Sequence, residues 1–231
     1  MMYLYLFLNI ASFSIPFAYS FEKKMRFIKW YKSVFFALIV TGLFFIAWDV
    51  YFTKIGIWGF NPNYYLGSKI WGLPFEELLF FLYIPYASIF THYALIYFFK
   101  NLKLSIKNTK VITSVLLVFA LAVLLVFYNR YYTFSAFLVF VLLLLYGLKY
   151  DKKVLPRFYI SFLVILIPFF LVNGILTGSF ITDEVVWYNN NENLGVRLFT
   201  IPVEDVFYAF DLLYLNIILI ELFKTKFKEL K

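Results

Sequence analysis

Cysteine is absent from this 231-residue chain, and histidine occurs once, at His92. The first absence removes disulfides, thiolate nucleophiles and cysteine metal sites, and leaves the redox compartment unspecified. A single imidazole is a poor basis for a metal centre, so no metal is expected. No G-x-G-x-x-G follows a strand, so a Rossmann-bound flavin has no visible place and no cofactor is expected. Charge is scarce as well: 15% of the residues are charged, against 64% hydrophobic and 25% aromatic.

What the chain has in quantity is apolar sequence. A bilayer core of ~30 Å needs about 20 apolar residues in a helix. Stretches of that kind run approximately over residues 2–21, 34–52, 75–99, 111–128, 132–148, 158–176 and 203–223. Seven spans leave no room for a soluble domain. The expected fold class is therefore all-α, a polytopic membrane protein of seven transmembrane helices.

The formal charge of +8 invites a nucleic-acid reading, but the cations are distributed by topology. Five fall between spans one and two (Lys23, Lys24, Arg26, Lys29, Lys32), and four each after span three, after span five and at the C-terminus. The other loops hold only Lys54, Lys69, Arg130 and Arg197. This positive-inside bias puts the N-terminus outside and the C-terminus in the cytoplasm of an integral cell-membrane protein. No nucleic-acid partner is implied. The first span lacks a basic n-region and precedes a basic loop, which fits an uncleaved anchor better than a secretory signal.

One phrase occurs twice, 128 positions apart: Pro74-Phe75-Glu76-Glu77-Leu78-Leu79-Phe80 and Pro202-Val203-Glu204-Asp205-Val206-Phe207-Tyr208. The flanks repeat too. Asp49 and Thr53 at the end of span two correspond to Asn173 and Thr177 at the end of span six. A polar-aromatic loop follows each, with Trp58, Gly59, Phe60 and Asn61 in the first half and Trp187, Tyr188, Asn189 and Asn190 in the second. Spans one to three thus match spans five to seven. Matching spans lie an even number of crossings apart, so the two three-helix repeats are expected to be parallel, joined by a linker helix. The corresponding organisation is a first repeat over 1–100, a linker with the fourth span over 101–131 and a second repeat over 132–231. Both acidic phrases then start a helix at the same membrane face.

Proline is tolerated in the first turn of a helix, and carboxylates there meet its free N–H groups and the positive end of its dipole. Capping alone would explain one such site. Two adjacent acids in both repeats are harder to explain that way, since a carboxylate near hydrocarbon costs about 2.5–3.5 kcal/mol at a helix centre. Neighbouring helical positions point ~100° apart, so one acid of each pair can cap while the other faces the bundle interior.

These blocks resemble the membrane-embedded lycopene cyclases of bacteria, archaea and fungi, in the fused single-chain form. The first-half block comprises Trp48-Asp49, Phe52-Thr53, Gly56 to Asn61, Leu73 to Glu77, Phe80-Phe81 and Ile84-Pro85-Tyr86. The second comprises Asn173-Gly174, Leu176-Thr177, Tyr188-Asn189, Leu194-Gly195, Arg197, Thr200 to Asp205, Tyr208 and Phe210. The resemblance covers nearly the whole chain. It implies an intramolecular lyase that converts the acyclic ends of lycopene to β-ionone rings, giving β-carotene through γ-carotene without net redox change. It implies lycopene or a related carotenoid and the lipid bilayer as partners, and it is compatible with homo-oligomers or association with other carotenoid enzymes.

Such a cyclisation needs an acid, a cation-tolerant pocket and a base. Glu76 and Glu204, the constant acids of the two copies, are the first candidates for proton donor or cation-stabilising group. Glu77 and Asp205 are their candidate partners or acceptors. Asp49 is a candidate relay, whose counterpart Asn173 cannot ionise. Arg197 either holds Asp205 or Glu204 ionised or is a solvated loop arginine. Trp58, Phe60, Trp71, Trp187 and Tyr188 offer aromatic faces that stabilise a cation without trapping it, or act as ordinary interfacial anchors. Two other classes share the pattern: a small 3+1+3 transporter with paired acids as ion-coupling groups, and a membrane terpene cyclase acting on another polyprenyl chain. A retinal photoreceptor is disfavoured because span seven has no lysine between Val203 and Phe223.

Overall fold

In hydrocarbon a backbone satisfies its own N–H and C=O groups most simply by coiling into a helix, and the apolar runs of this chain do so. The computed structural model describes residues 2–229; Met1, Leu230 and Lys231, the last a C-terminal cation, lie outside the described residues. Among the described residues seven α-helices form: α1 Leu4–Tyr19, α2 Tyr31–Lys54, α3 Phe75–Phe98, α4 Ile106–Val126, α5 Tyr131–Tyr150, α6 Leu155–Leu176 and α7 Glu204–Lys226. Six of them, α2 to α7, are long and apolar enough to cross a membrane. α1 has 16 residues. That is about 24 Å of helix, less than a ~30 Å core requires.

Side chains fix the helix ends where the sequence supplies caps. Ser105 accepts the Asn108 N–H at 3.0 Å and opens α4. Asp151 accepts the backbone N–H groups of Lys153, Val154 and Leu155 at 3.1, 2.7 and 3.1 Å, and Pro156 follows in the first turn of α6. α3 and α7 both begin directly behind the repeated proline phrase, with Glu76, Glu77, Glu204 and Asp205 in their first turns.

α3 and α7 pack against each other at the centre. Around them the contacts come in matched pairs: α1 lies on α3 as α5 lies on α7, and α2 crosses to α7 as α6 crosses to α3. α4 stands outside this arrangement, packed on α5. The large core is strongly aromatic. Phe158, Phe210 and Tyr214 form its middle, with Phe158 and Tyr214 stacked at 5.2 Å between ring centroids.

The polar-aromatic loops contain short strands that the sequence pattern does not reveal. β1 (Trp58–Phe60) comes from the first half. β2 (Lys69–Ile70) and β3 (Leu73–Pro74) then form a hairpin, as do β5 (Arg197–Leu198) and β6 (Ile201–Pro202) in the second half. β4 (Val186–Tyr188) is the counterpart of β1, and the two pair antiparallel as Trp58 with Tyr188, Gly59 with Trp187 and Phe60 with Val186. Equivalent residues therefore meet around a local two-fold centre at Gly59 and Trp187, as they do in an isologous contact between two subunits. Flanking hydrogen bonds obey the same rule: Asn61 N–H to Val185 O at 2.9 Å and Asn189 N–H to Ile57 O at 2.8 Å.

The centre of this ribbon breaks the symmetry. The Trp187 indole lies against Gly59, and a Cβ there would fall well inside van der Waals contact with it. Gly59→Ala is expected to lower stability by about 1–3 kcal/mol through overpacking. Trp187→Ala in the same chain should relieve that loss, as read by thermal unfolding of detergent-solubilised protein. No relief in the double variant would mean that the ribbon does not depend on this contact.

Candidate active site

Each proline phrase sends its two acids in different directions. The first acid turns back to its own loop. Glu76 accepts the Leu66 N–H through Oε1 at 2.7 Å, and Glu204 accepts the Leu194 N–H through Oε1 at 2.6 Å. Glu204 Oε1 also accepts from the Thr133 hydroxyl at 2.6 Å. Both side chains are fully buried, at 0% exposure. They are loop tethers, each spanning ten residues, and the Oε2 of each is buried without a hydrogen-bond partner among the described residues.

The second acid, about 100° further round the helix, faces inward. Glu77 accepts from the Tyr5 hydroxyl of α1. Asp205 accepts from Tyr132 Oη at 2.5 Å, Asn173 Nδ2 at 2.8 Å and Tyr188 Oη at 2.9 Å. Asp49, near the end of α2, accepts from Trp58 Nε1 and from Thr53 Oγ1 at 3.3 Å, and its Oδ2 has no partner. Tyr188 sits in the ribbon outside the spanning helices. Burial and the neighbouring Asp205 carboxyl push its hydroxyl well above its ordinary range, so it remains a donor.

Asp49, Glu77 and Asp205 all line one cavity of about 240 Å³. Its wall follows α3 from Glu77 to Thr91, roughly 21 Å of helix at 1.5 Å per residue. Trp58, Tyr132, Tyr188 and Tyr208 surround the acidic end, with Trp58 and Tyr132 edge to face at 5.1 Å. No ion pair to these three carboxyls occurs among the described residues; Lys224 and Glu221 pair at 2.8 Å near the far end of α7. Several carboxyls around one apolar space can offer both a proton donor and a proton acceptor to a molecule held there.

The expected site residues separate accordingly. Asp49, Glu77, Asp205, Asn173, Trp58, Phe60 and Tyr188 line the cavity, whereas Glu76 and Glu204 do not: each turns its Oε1 to a loop amide and keeps its Oε2 buried away from the cavity. Arg197 pairs with neither acid; it is exposed and donates to Thr200 O at 2.6 Å and Asn190 Oδ1 at 3.0 Å. Trp187 covers Gly59 on the ribbon. Trp71 is 68% exposed at the tip of the β2–β3 hairpin, with φ of 54°. Phe199, at the equivalent tip with φ of 60°, is likewise exposed, so these aromatics are surface features rather than walls. His92 lies 2.5 Å from Ser161 Oγ, deep in the bundle. Tyr5 and Tyr132, the donors to Glu77 and Asp205, were not anticipated. They start equivalent spans, and extending the repeat upstream to the first polar atoms of those spans would have found them.

The sequence model of the family described as Lycopene cyclase matches residues 2–96 and 129–223, one match per half and most of the chain in all. The chain belongs to the lycopene cyclase family. Its similarity to curated lycopene cyclase proteins is local. It is 33% identical over 66 residues to the bifunctional lycopene cyclase/phytoene synthase of Neurospora crassa, covering 29% of this chain and 10% of that protein. It is 35% identical over 49 residues to the bifunctional lycopene cyclase/phytoene synthase of Podospora anserina, covering 21% and 8%. The matched region thus spans about a tenth or less of the length of these fungal relatives. No solved structure matches the chain.

The tether assignment has its own test. Glu204→Ala removes the acceptor of the partly buried Leu194 N–H and of the buried Thr133 hydroxyl, a loss of about 1–3 kcal/mol in all. Glu204→Gln keeps the accepting oxygen and should cost much less. Equal destabilisation by the two variants in thermal unfolding would count against the tether.

Proposed function

We propose that this protein closes the acyclic ends of lycopene, or of a closely related carotenoid, into β-ionone rings within the membrane. The observation that carries the reading is the convergence of Asp49, Glu77 and Asp205 on one long apolar cavity walled by aromatic faces, in a chain of this family. The reaction begins when a carboxylic acid adds its proton to the terminal trisubstituted alkene, leaving a tertiary cation. The neighbouring double bond attacks that cation and closes the six-membered ring, moving the charge onto a ring carbon. Loss of an adjacent ring proton to a carboxylate forms the β double bond. One proton enters and one leaves, with no electron transferred, so the enzyme is an intramolecular lyase.

The residues divide naturally between these tasks. Asp205 receives three hydrogen bonds, which hold its carboxyl in a fixed orientation and suit it to accept the ring proton. Asp49 has a free oxygen and Glu77 a single donor, which suits them to deliver the proton. Trp58, Tyr132, Tyr188 and Tyr208 present ring faces and edges to the same space, and a cation over such a face gains about 0.5–2 kcal/mol without forming a bond. In this reading Glu76 and Glu204 are positioning residues, the reverse of the ranking that the sequence suggests.

The wider architecture belongs to the same proposal. α1 is taken as a seventh crossing despite its length, giving two parallel three-helix repeats over 1–100 and 132–231 with a linker over 101–131. The matched helix contacts and the two-fold ribbon support that arrangement. The cation distribution supports an outside N-terminus and a cytoplasmic C-terminus.

Expression in a lycopene-accumulating bacterium, followed by chromatography of the pigments, tests the reading. Monocyclic and bicyclic β-ring products are expected. Asp205→Asn and Glu77→Gln should each lower ring formation by ~10²- to 10⁴-fold, the range of general acid–base contributions. Glu76→Gln should retain most of it. Unchanged lycopene in cells holding well-inserted parent protein would overturn the assignment.

A further inference from the structure

Between α1 and α6 the residues lining the cavity are partly open to the outside of the bundle. α1 and α6 each pack on α3 and flank the cavity between them. At the loop end that gap is shut by a cluster of Tyr5, Leu8, Leu176 and Val185. Deeper in the bundle its rim is Ser12 and Pro16 on α1 with Pro168 and Phe169 on α6; Pro168 is exposed and the other three are partly so. Both rim prolines lie inside their helices. A proline there removes a backbone hydrogen bond and bends the helix.

The equivalent gap of the second half, between α5 and α2, is built differently. Setting Tyr132 against Tyr5 and Asp49 against Asn173 aligns Leu143 with Pro16 and Phe44 with Pro168, so neither helix carries a proline at that level. Ala87 of the cavity wall corresponds to Leu215. Phe52 of α2 clusters with buried Tyr132 and Ala136 of α5, and behind them Phe45, fully buried, meets Tyr208 edge to face at 5.0 Å with Trp48 against the same ring at 5.1 Å.

We infer that a linear polyene dissolved in the bilayer enters sideways through a port between α1 and α6, end group first, and that the α2–α5 gap is not an entrance. This rests on the cyclisation reading and adds to it the route and the number of mouths. The end group advances past Pro16 and Pro168 toward Asp49, Glu77 and Asp205, while the trailing chain lies along α3 and leaves by the same mouth. A long hydrocarbon has no reason to leave the lipid for water on the way, so a lateral opening at membrane depth suits it better than an entry through the polar loops.

The absence of cysteine makes the port directly testable. In Ser12→Cys/Phe169→Cys, a cleavable bis-methanethiosulfonate bridge between the two thiols, verified by mass spectrometry, should lower the initial rate of ring formation by about tenfold or more at low substrate. Reduction of the bridge should restore it, which separates blockage from misfolding. Ser12→Trp should lower the rate at low substrate in the same way, while Leu142→Trp, on the lipid-exposed face of α5, should not. An undiminished rate in the bridged protein, or equal rates for the two Trp variants, overturns the port. A parent protein that forms no rings overturns the functional reading itself, and the port with it.

Discussion

Three residue pairs hold the two halves of this protein in register, and the rest of the site depends on them. β1 and β4 are too short to be stable ribbons on their own. They persist because each is anchored to a helix end and because Trp187 closes over the one position without a side chain, Gly59. The residues flanking that contact carry its consequence to the chemistry. Trp58 donates to Asp49 of the first half, and its strand partner Tyr188 donates to Asp205 of the second. Two carboxyls from distant parts of the chain are thus held by donors that are paired with each other.

The duplicated acidic phrase now divides into two functions. The outer acid of each pair, with a loop amide on its oxygen, fixes the loop from which the ribbon springs. The inner acid, one position on, faces the cavity. Removing the outer acid would leave its loop N–H without that acceptor, which gives these acids a structural role beside their cost of burial.

Much of this could be read without coordinates, and the remainder could not for definite reasons. The helices follow from apolar length, the repeat from the proline phrases, and Asp49 with Asn173 from their flanks. Adjacent acids were certain to diverge by a third of a turn, but which one faces inward depends on how α3 and α7 seat against α1, α2, α5 and α6, and no local pattern fixes that. The strands escape detection because three residues are too few to display an alternating pattern. Trp71, Trp58 and Trp187 look alike in the sequence, all aromatic and next to glycine or within the same loop type. Only the fold makes one a hairpin tip, one a donor to Asp49 and one the cover over Gly59. Tyr5 and Tyr132 were concealed by their company, since a tyrosine in an apolar run has the composition of a span and not of a site.

The hairpin tips have a mechanical meaning. Trp71 and Phe199 occupy equivalent turns in a left-handed backbone conformation that bulky side chains seldom adopt, and both rings are largely exposed, Phe199 at 87% with Phe170 of α6 beside it. Both turns lie just before the helices that carry the inner acids. Aromatic rings favour the boundary between lipid and water. Two such feet, one on each half, would resist rocking of the bundle about the line between its repeats and hold the carboxyls at one depth, level with the end of a molecule confined to the bilayer.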